Sequence, residues 1–153
     1  MRESLLTVLR DETTTTLQFR HAAGQLAHLL AAQASGHVSQ EPKTIKTPLK
    51  QTEGKVVCQK VVLIPILRAG LTLLPAFLKF FPAAPIGLFG VRRDEATAQP
   101  QLYYENIPPI NSNDLIFILD PMIATAGSAL LSIKHLITKG ADPSKIILAG
   151  ILS

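Results

Sequence analysis

Ile116, Phe117, Ile118 and Leu119 form an unbroken apolar stretch that stops at a carboxylate, Asp120. Four bulky or β-branched residues in a row suit a strand buried on both faces, the kind that parallel sheets contain. A run of mostly small residues follows: Pro121, Met122, Ile123, Ala124, Thr125, Ala126, Gly127 and Ser128. Residues 129–137 then place apolar side chains at helical spacing. A strand, a small-residue loop and a helix N-terminus together make a place to hold a phosphate. Free backbone N–H groups and the positive end of the helix dipole converge there.

Two more stretches repeat the strand pattern. Residues 60–67 read as a buried strand in which Pro65, near the C-terminal end, marks weakening pairing. Arg68, Ala69 and Gly70 lead into a helix over 71–81, which tolerates Pro75 only in its first turn. Pro82 and Pro85 close that helix, and 86–91 reads as another strand. After the central segment, Gly140 suits the residue just past a helix, Asp142-Pro143 a turn, and 146–152 a last buried strand. Successive strand–helix units predict an α/β fold with a doubly wound parallel sheet. Ligands in such sheets lie beyond the carboxyl ends of the strands, so Arg68, Arg93 and Asp120 are expected on one rim.

The remaining segments carry less. Residues 16 to about 34 read as an amphipathic helix peripheral to the sheet, with Leu17, Ala23, Leu26, Ala27 and Leu30 near a 3.6 period. Thr13 to Thr16 offer N-caps and Gly36 an end. His21 and His28 share one face of it and read as partly exposed helical histidines. In residues 38–58 a weak alternation over 44–47, bracketed by Pro42 and Pro48, and a turn at Gly54 predict short antiparallel strands or a hairpin beside the main sheet. Residues 92–113 are polar and proline-bearing, and their length predicts a loop that is a lid or disordered. Tyr103 and Tyr104 read as packing residues of that loop.

Composition narrows the function classes. The chain has 153 residues, 47% apolar and 17% charged, which suits one domain with a real core. Its net charge of +4 accompanies no basic run and only 5% aromatics, so nucleic acid is not expected as a partner. The longest apolar run, 61–67, is far short of the roughly 20 residues of a membrane span. Cys58 is the only cysteine, which together with the lack of a secretory signal predicts a cytoplasmic protein. The four histidines show no pairing with it at ligand spacing, so no all-protein metal cage is expected.

Three segments resemble, in order and spacing, the signatures of the uracil phosphoribosyltransferase family, which belongs to the type I phosphoribosyltransferases. They are Pro65-Ile66-Leu67-Arg68-Ala69-Gly70, Arg93-Asp94-Glu95, and the run from Asp120 to Ser128. Leu9-Arg10-Asp11-Glu12 with Phe19-Arg20 is similar to that family's N-terminal helix region. Leu119 before a single Asp120 is the uracil type's pattern; many phosphoribosyltransferases carry two adjacent acids there. The resemblance implies transfer of 5-phosphoribosyl from its 1-pyrophosphate to uracil, giving UMP and pyrophosphate. It implies that Pro121, Met122, Ile123, Ala124, Thr125, Ala126, Gly127 and Ser128 surround the 5-phosphate, with Asp120 on the ribose. Arg68 and Arg93 would grip the pyrophosphate, although Arg92 stands one residue away and suits the same role. Mg²⁺ is expected on the pyrophosphate, held mostly through substrate and water. The family also suggests a homodimer or larger homo-oligomer.

Two departures qualify the resemblance. The family usually has Thr-Gly-Gly in the phosphate loop, and here Ala126 replaces the first glycine. A positive φ at that position would strain alanine by about 1 kcal/mol or more. The family's uracil-binding segment also lies beyond the last strand seen here, and no residue of this chain matches it. Residues 1–153 are therefore expected to form a single phosphoribosyltransferase-like domain, truncated at the C-terminus or covered there by a partner chain. A relative that binds phosphoribosyl pyrophosphate without transferring it, or an enzyme acting on another base, stays open at this point.

Overall fold

The computed structural model describes residues 1–94 and 99–152, with Arg93 described through its backbone alone. Among the described residues the main sheet has five strands, in the order β5-β4-β3-β6-β7. These are β3 (Val61–Leu67), β4 (Leu88–Arg93), β5 (Pro100–Asn106), β6 (Leu115–Leu119) and β7 (Ile146–Ala149). β3 pairs parallel with β4 and with β6, and β6 pairs parallel with β7. Only β5, at one edge, runs antiparallel. The fold is the expected α/β class with a mostly parallel sheet.

Side-chain alternation along β3 and β6 divides the core into two layers. Val61 and Leu63 with Leu115, Phe117 and Leu119 face one side. There α2 (Thr16–Ser35) and α3 (Leu74–Phe80) cover them with Ala27, Ala31, Ala76 and Phe77. Val62, Ile64 and Ile66 with Ile116 and Ile118 face the other side, under Leu136 of α4 (Gly127–Thr138). Both faces of the central strands are thus buried, which is why their sequences are continuously apolar instead of alternating. Helices lie on opposite faces because the chain steps from β3 to β4 in one direction and from β6 to β7 in the other.

α2, expected at the periphery, is a full layer: Ala27 and Ala31 are completely buried. Its Thr15 N-cap forms a capping box with Gln18. Leu17 does not join the buried stripe and is 79% exposed, because it sits in the first turn, ahead of the packed alanines. His21 and His28 are exposed, as read from the sequence. α1 (Arg2–Arg10) packs on α2 and was not foreseen from periodicity. The hairpin of β1 (Gln40–Lys46) and β2 (Gln51–Val57) forms its own two-stranded sheet, as expected. It turns at 47–50, where the Thr47 N–H donates to the Lys50 carbonyl, while Gly54, expected at the turn, pairs with Lys43 inside β2.

Three boundaries differ from the sequence reading. The helix expected from residue 71 starts as a 3-10 turn, Ala69–Thr72, and becomes α3 only at Leu74, which puts Pro75 in the first turn. The strand expected over 146–152 ends at Ala149. Beyond it the chain leaves the sheet to bond the segment after β6. The largest correction concerns residues 92–113, expected as a loop. Arg92 and Arg93 end β4, and residues 100–106 form β5 antiparallel to it, so strands replace part of the loop, while 95–98, Glu95 of the motif among them, lie outside the described residues. The strand is stabilised by burial of Leu102 against the α4-side core, and a register shift at Gly90/Val91 bends it. Gly90 is required there: a Cβ would lie 2.6 Å from the Tyr103 ring.

Candidate functional site

The sheet turns in opposite directions from β3 and β6, and these two strands are neighbours. The crevice beyond the carboxyl ends of such a pair is the topological switch point, the usual ligand position of doubly wound sheets. Arg68 follows β3 and Asp120 follows β6, so the two residues leave the sheet side by side at that point. Arg93 ends β4, the strand on the other side of β3. The three expected rim residues thus belong to three adjacent parallel strand ends, although the Arg93 side chain lies outside the described residues.

Arg68 is exposed, and the Leu67–Arg68 peptide bond is cis. Gly70, two residues on, is buried against the end of β6: an added Cβ would stand 2.3 Å from the Leu119 carbonyl oxygen. This glycine lets the turn after β3 lie directly on the start of the loop after β6. The sequence shows Gly70 within a motif but gives no sign of this contact, which depends on the pairing of strands far apart in the chain.

Asp120 is partly buried at the strand end. Its backbone N–H donates to the Ala149 carbonyl at 3.0 Å, and its carboxylate accepts from the Met122 N–H at 3.4 Å. Burial holds its carboxyl above the ordinary value, and the Met122 hydrogen bond opposes that only in part. Pro121 and Ile123 are fastened from behind. The Pro121 carbonyl accepts from the N–H groups of Ile151 and Leu152, and the Ile123 N–H donates to the Leu152 carbonyl at 2.8 Å. Gly150 permits this approach, since a Cβ there would lie 2.5 Å from Ile123 Cδ1. Met122 is exposed, and Ala124 and Thr125 stand open to solvent at the tip.

Ala126 answers the question its sequence raised. It is the N-cap of α4 with φ 56° and ψ 6°, in the left-handed region. The replaced glycine therefore falls at the strained position. Ala126 gives the helix no side-chain cap, and the first helical bond runs from the Leu130 N–H to the Ala126 carbonyl at 2.8 Å. The N–H groups of Gly127, Ser128 and Ala129 precede that ladder and have no acceptor within the helix. With the positive end of the dipole, they are the chemistry of an anion site. Pro100, the first residue of β5, borders this loop: a Cβ on Gly127 would come 3.4 Å from Pro100 Cγ. The sequence reading gave Pro100 no role, because it assigned that residue to a loop.

Among the described residues no group of three or more His, Cys, Asp or Glu could hold a metal. The rim offers the Asp120 carboxylate and the Thr125 and Ser128 hydroxyls. That donor set suits a magnesium ion that takes most of its ligands from a bound substrate and water. No described helix is long and apolar enough to cross a membrane.

Comparison with known proteins agrees with this geometry. The family model for uracil phosphoribosyltransferase matches residues 1–153. The chain is 42% identical over 137 residues to the uracil phosphoribosyltransferase of Salinibacter ruber, covering 90% of this chain and 65% of that protein. With the enzyme of that name from Corynebacterium glutamicum it shares 41% over 138 residues, again covering 90% and 65%. The chain thus spans about two thirds of the length of the curated relatives it matches. Among solved structures, the AQ2163 protein of Aquifex aeolicus superposes with TM-score 0.82 at 23% identity, covering 99% of this chain and 82% of that one. A purine phosphoribosyltransferase from Pyrococcus horikoshii superposes with TM-score 0.59 at 15% identity, covering 84% and 70%. At such identities the superpositions speak for the fold.

Proposed function

The chain belongs to the uracil phosphoribosyltransferase family, and from that premise we propose that it transfers 5-phosphoribosyl from its 1-pyrophosphate to uracil, releasing UMP and pyrophosphate. The observation that carries the proposal is the switch-point geometry: the Arg68 turn and the Asp120 loop are adjacent, and the loop ends on an uncapped helix start.

In this reading the N–H groups at the start of α4 and the hydroxyls of Thr125 and Ser128 bind the 5-phosphate. Small side chains let the backbone approach the anion closely. Asp120 accepts hydrogen bonds from the ribose hydroxyls and stabilises positive charge developing on the ring as the anomeric C–O bond breaks. Arg68 and Arg93 hold the pyrophosphate, because a guanidinium pairs bidentately with phosphate oxygens. Mg²⁺, when bound through the pyrophosphate, neutralises part of its charge and makes it a better leaving group. Pro100, which borders Gly127 on the same rim, would limit water there, and water competes with uracil as nucleophile.

We assign no residue to the base. The enzyme reading places the protein in pyrimidine salvage, in the cytoplasm, as one phosphoribosyltransferase-like domain forming a homodimer or larger assembly, without nucleic acid or membrane partners. A second reading is favoured by Ala126, a non-glycine residue held at positive φ in the phosphate loop: the chain binds phosphoribosyl pyrophosphate and transfers nothing. Incubation with phosphoribosyl pyrophosphate and, separately, uracil, hypoxanthine, adenine and orotate decides between them. UMP formation with uracil alone is the expected result. Saturable binding without any nucleotide product would leave the binding reading, and product from another base would reassign the acceptor.

A further inference from the structure

Resting on the function proposed above, we propose that Glu105 is a positioning residue. By clamping β5 to the far end of α4, it fixes Pro100 against the phosphate loop at the near end. β5 is the edge strand and pairs with β4 alone. It also runs along α4 from start to finish: Pro100 borders Gly127 at the first turn, and Glu105 meets His135 and Lys139 at the last. Between these points the strand is held by apolar burial of Leu102 beside Leu136 and Phe89. Burial of that kind is non-directional and sets no position along the helix axis. The ladder with β4 fixes β5 within the sheet, and Glu105 adds directional contacts from β5 to α4 itself.

Each of its carboxylate oxygens faces one side-chain nitrogen of α4's C-terminal end. Oε2 faces His135 Nδ1 at 3.3 Å and Oε1 faces Lys139 Nζ. The two donors are four residues apart, on one face of the helix. The Glu105 side chain is only 21% exposed, so water screens the contact less than it would an open surface pair. His135 also stands edge-on to the Phe89 ring of β4, with centroids 5.9 Å apart, so both strands of the hairpin meet the same end of α4. Lys139 has an independent reason to be there, the negative end of the helix dipole. Removing the Glu105 charge should therefore free the hairpin without unwinding the helix.

The test is Glu105→Gln, which keeps the shape and drops the charge. The KM for phosphoribosyl pyrophosphate should rise about tenfold while kcat and the KM for uracil change less than about twofold. Lys139→Met should do the same, and the double variant should be no worse than the more affected single one. In the ligand-free protein, amide exchange at Gly127, Ser128 and Ala129 should quicken beyond any loss of global stability. An unchanged KM for phosphoribosyl pyrophosphate, or equal losses in every kinetic constant, would overturn the clamp. If the unaltered protein makes no nucleotide, the transfer reading fails, and exchange at the loop alone then decides the clamp: unchanged rates in Glu105→Gln overturn it.

Discussion

At the residue scale, Ala126 and Asp120 each carry a cost that the fold tolerates. Ala126 at φ 56° occupies a region where a Cβ is disfavoured. Ala126→Gly should therefore stabilise the protein by about 1 kcal/mol, a rise in Tm of about 2–4 °C for a chain of this size, measurable by thermal unfolding. Asp120 is held above its ordinary value of 3.8 by burial, so the folded state binds its proton more tightly than the unfolded chain does. Stability attached to this group is complete below 3.8 and declines as pH rises through the raised value. Asp142 works the other way. Its carboxylate, bonded first to the Ser144 N–H and then to the Ser144 hydroxyl, is lowered, and its contribution is present above the ordinary value and lost in acid. Asp120→Asn should accordingly be at least as stable as the parent at pH 7, and its stability should vary less between pH 4 and 7. Its rate of transfer should nonetheless fall by about 10²-fold or more, on the order of 2.7 kcal/mol of barrier. An active Asp120→Asn protein would remove Asp120 from the catalytic group.

At the scale of elements, the site depends on backbones approaching where no side chain fits. Gly70→Ala would drive a methyl group into the Leu119 carbonyl, so either the turn bearing Arg68 or the end of β6 must move. A loss of about 3 kcal/mol is expected in denaturant unfolding, the upper end of overpacking costs. The elements the sequence revealed are those with a strong local signal. The runs 61–67 and 115–119 are apolar throughout because they are buried on both faces, and Pro75 and Gly140 stand where helix ends require them. β5 escaped because Tyr103 and Tyr104 interrupt its alternation, the second at the register shift opposite Gly90, and its burial is supplied by α4 far along the chain. The fastening of Ile123 by Leu152 was invisible for the same reason: it joins residues that only the fold brings together. For the site, residue types at the strand ends were legible, and the contacts that aim them were not.

At the scale of the whole molecule, one side of the sheet is organised by aromatic packing. Phe117 of β6 lies 5.6 Å from Phe77 and 5.4 Å from Phe81, ring centre to ring centre, and is completely buried. Phe117→Ala should cost about 3–5 kcal/mol. Set against the roughly 5–15 kcal/mol of a typical domain, that leaves a protein near its unfolding threshold, visible as a large drop in denaturation midpoint. The same strand ends two residues later at Leu119, directly before Asp120, so the core that holds β6 also holds the proposed ribose site in place. In the proposed function the loop between β6 and α4 receives the 5-phosphate. Amide chemical shifts followed by NMR during titration with phosphoribosyl pyrophosphate and Mg²⁺ test that claim most directly. Saturable shifts concentrated at Thr125, Ala126, Gly127, Ser128 and Ala129, with smaller ones at Asp120, are expected. Saturable binding that leaves those amides unmoved, or no binding at all, would contradict it.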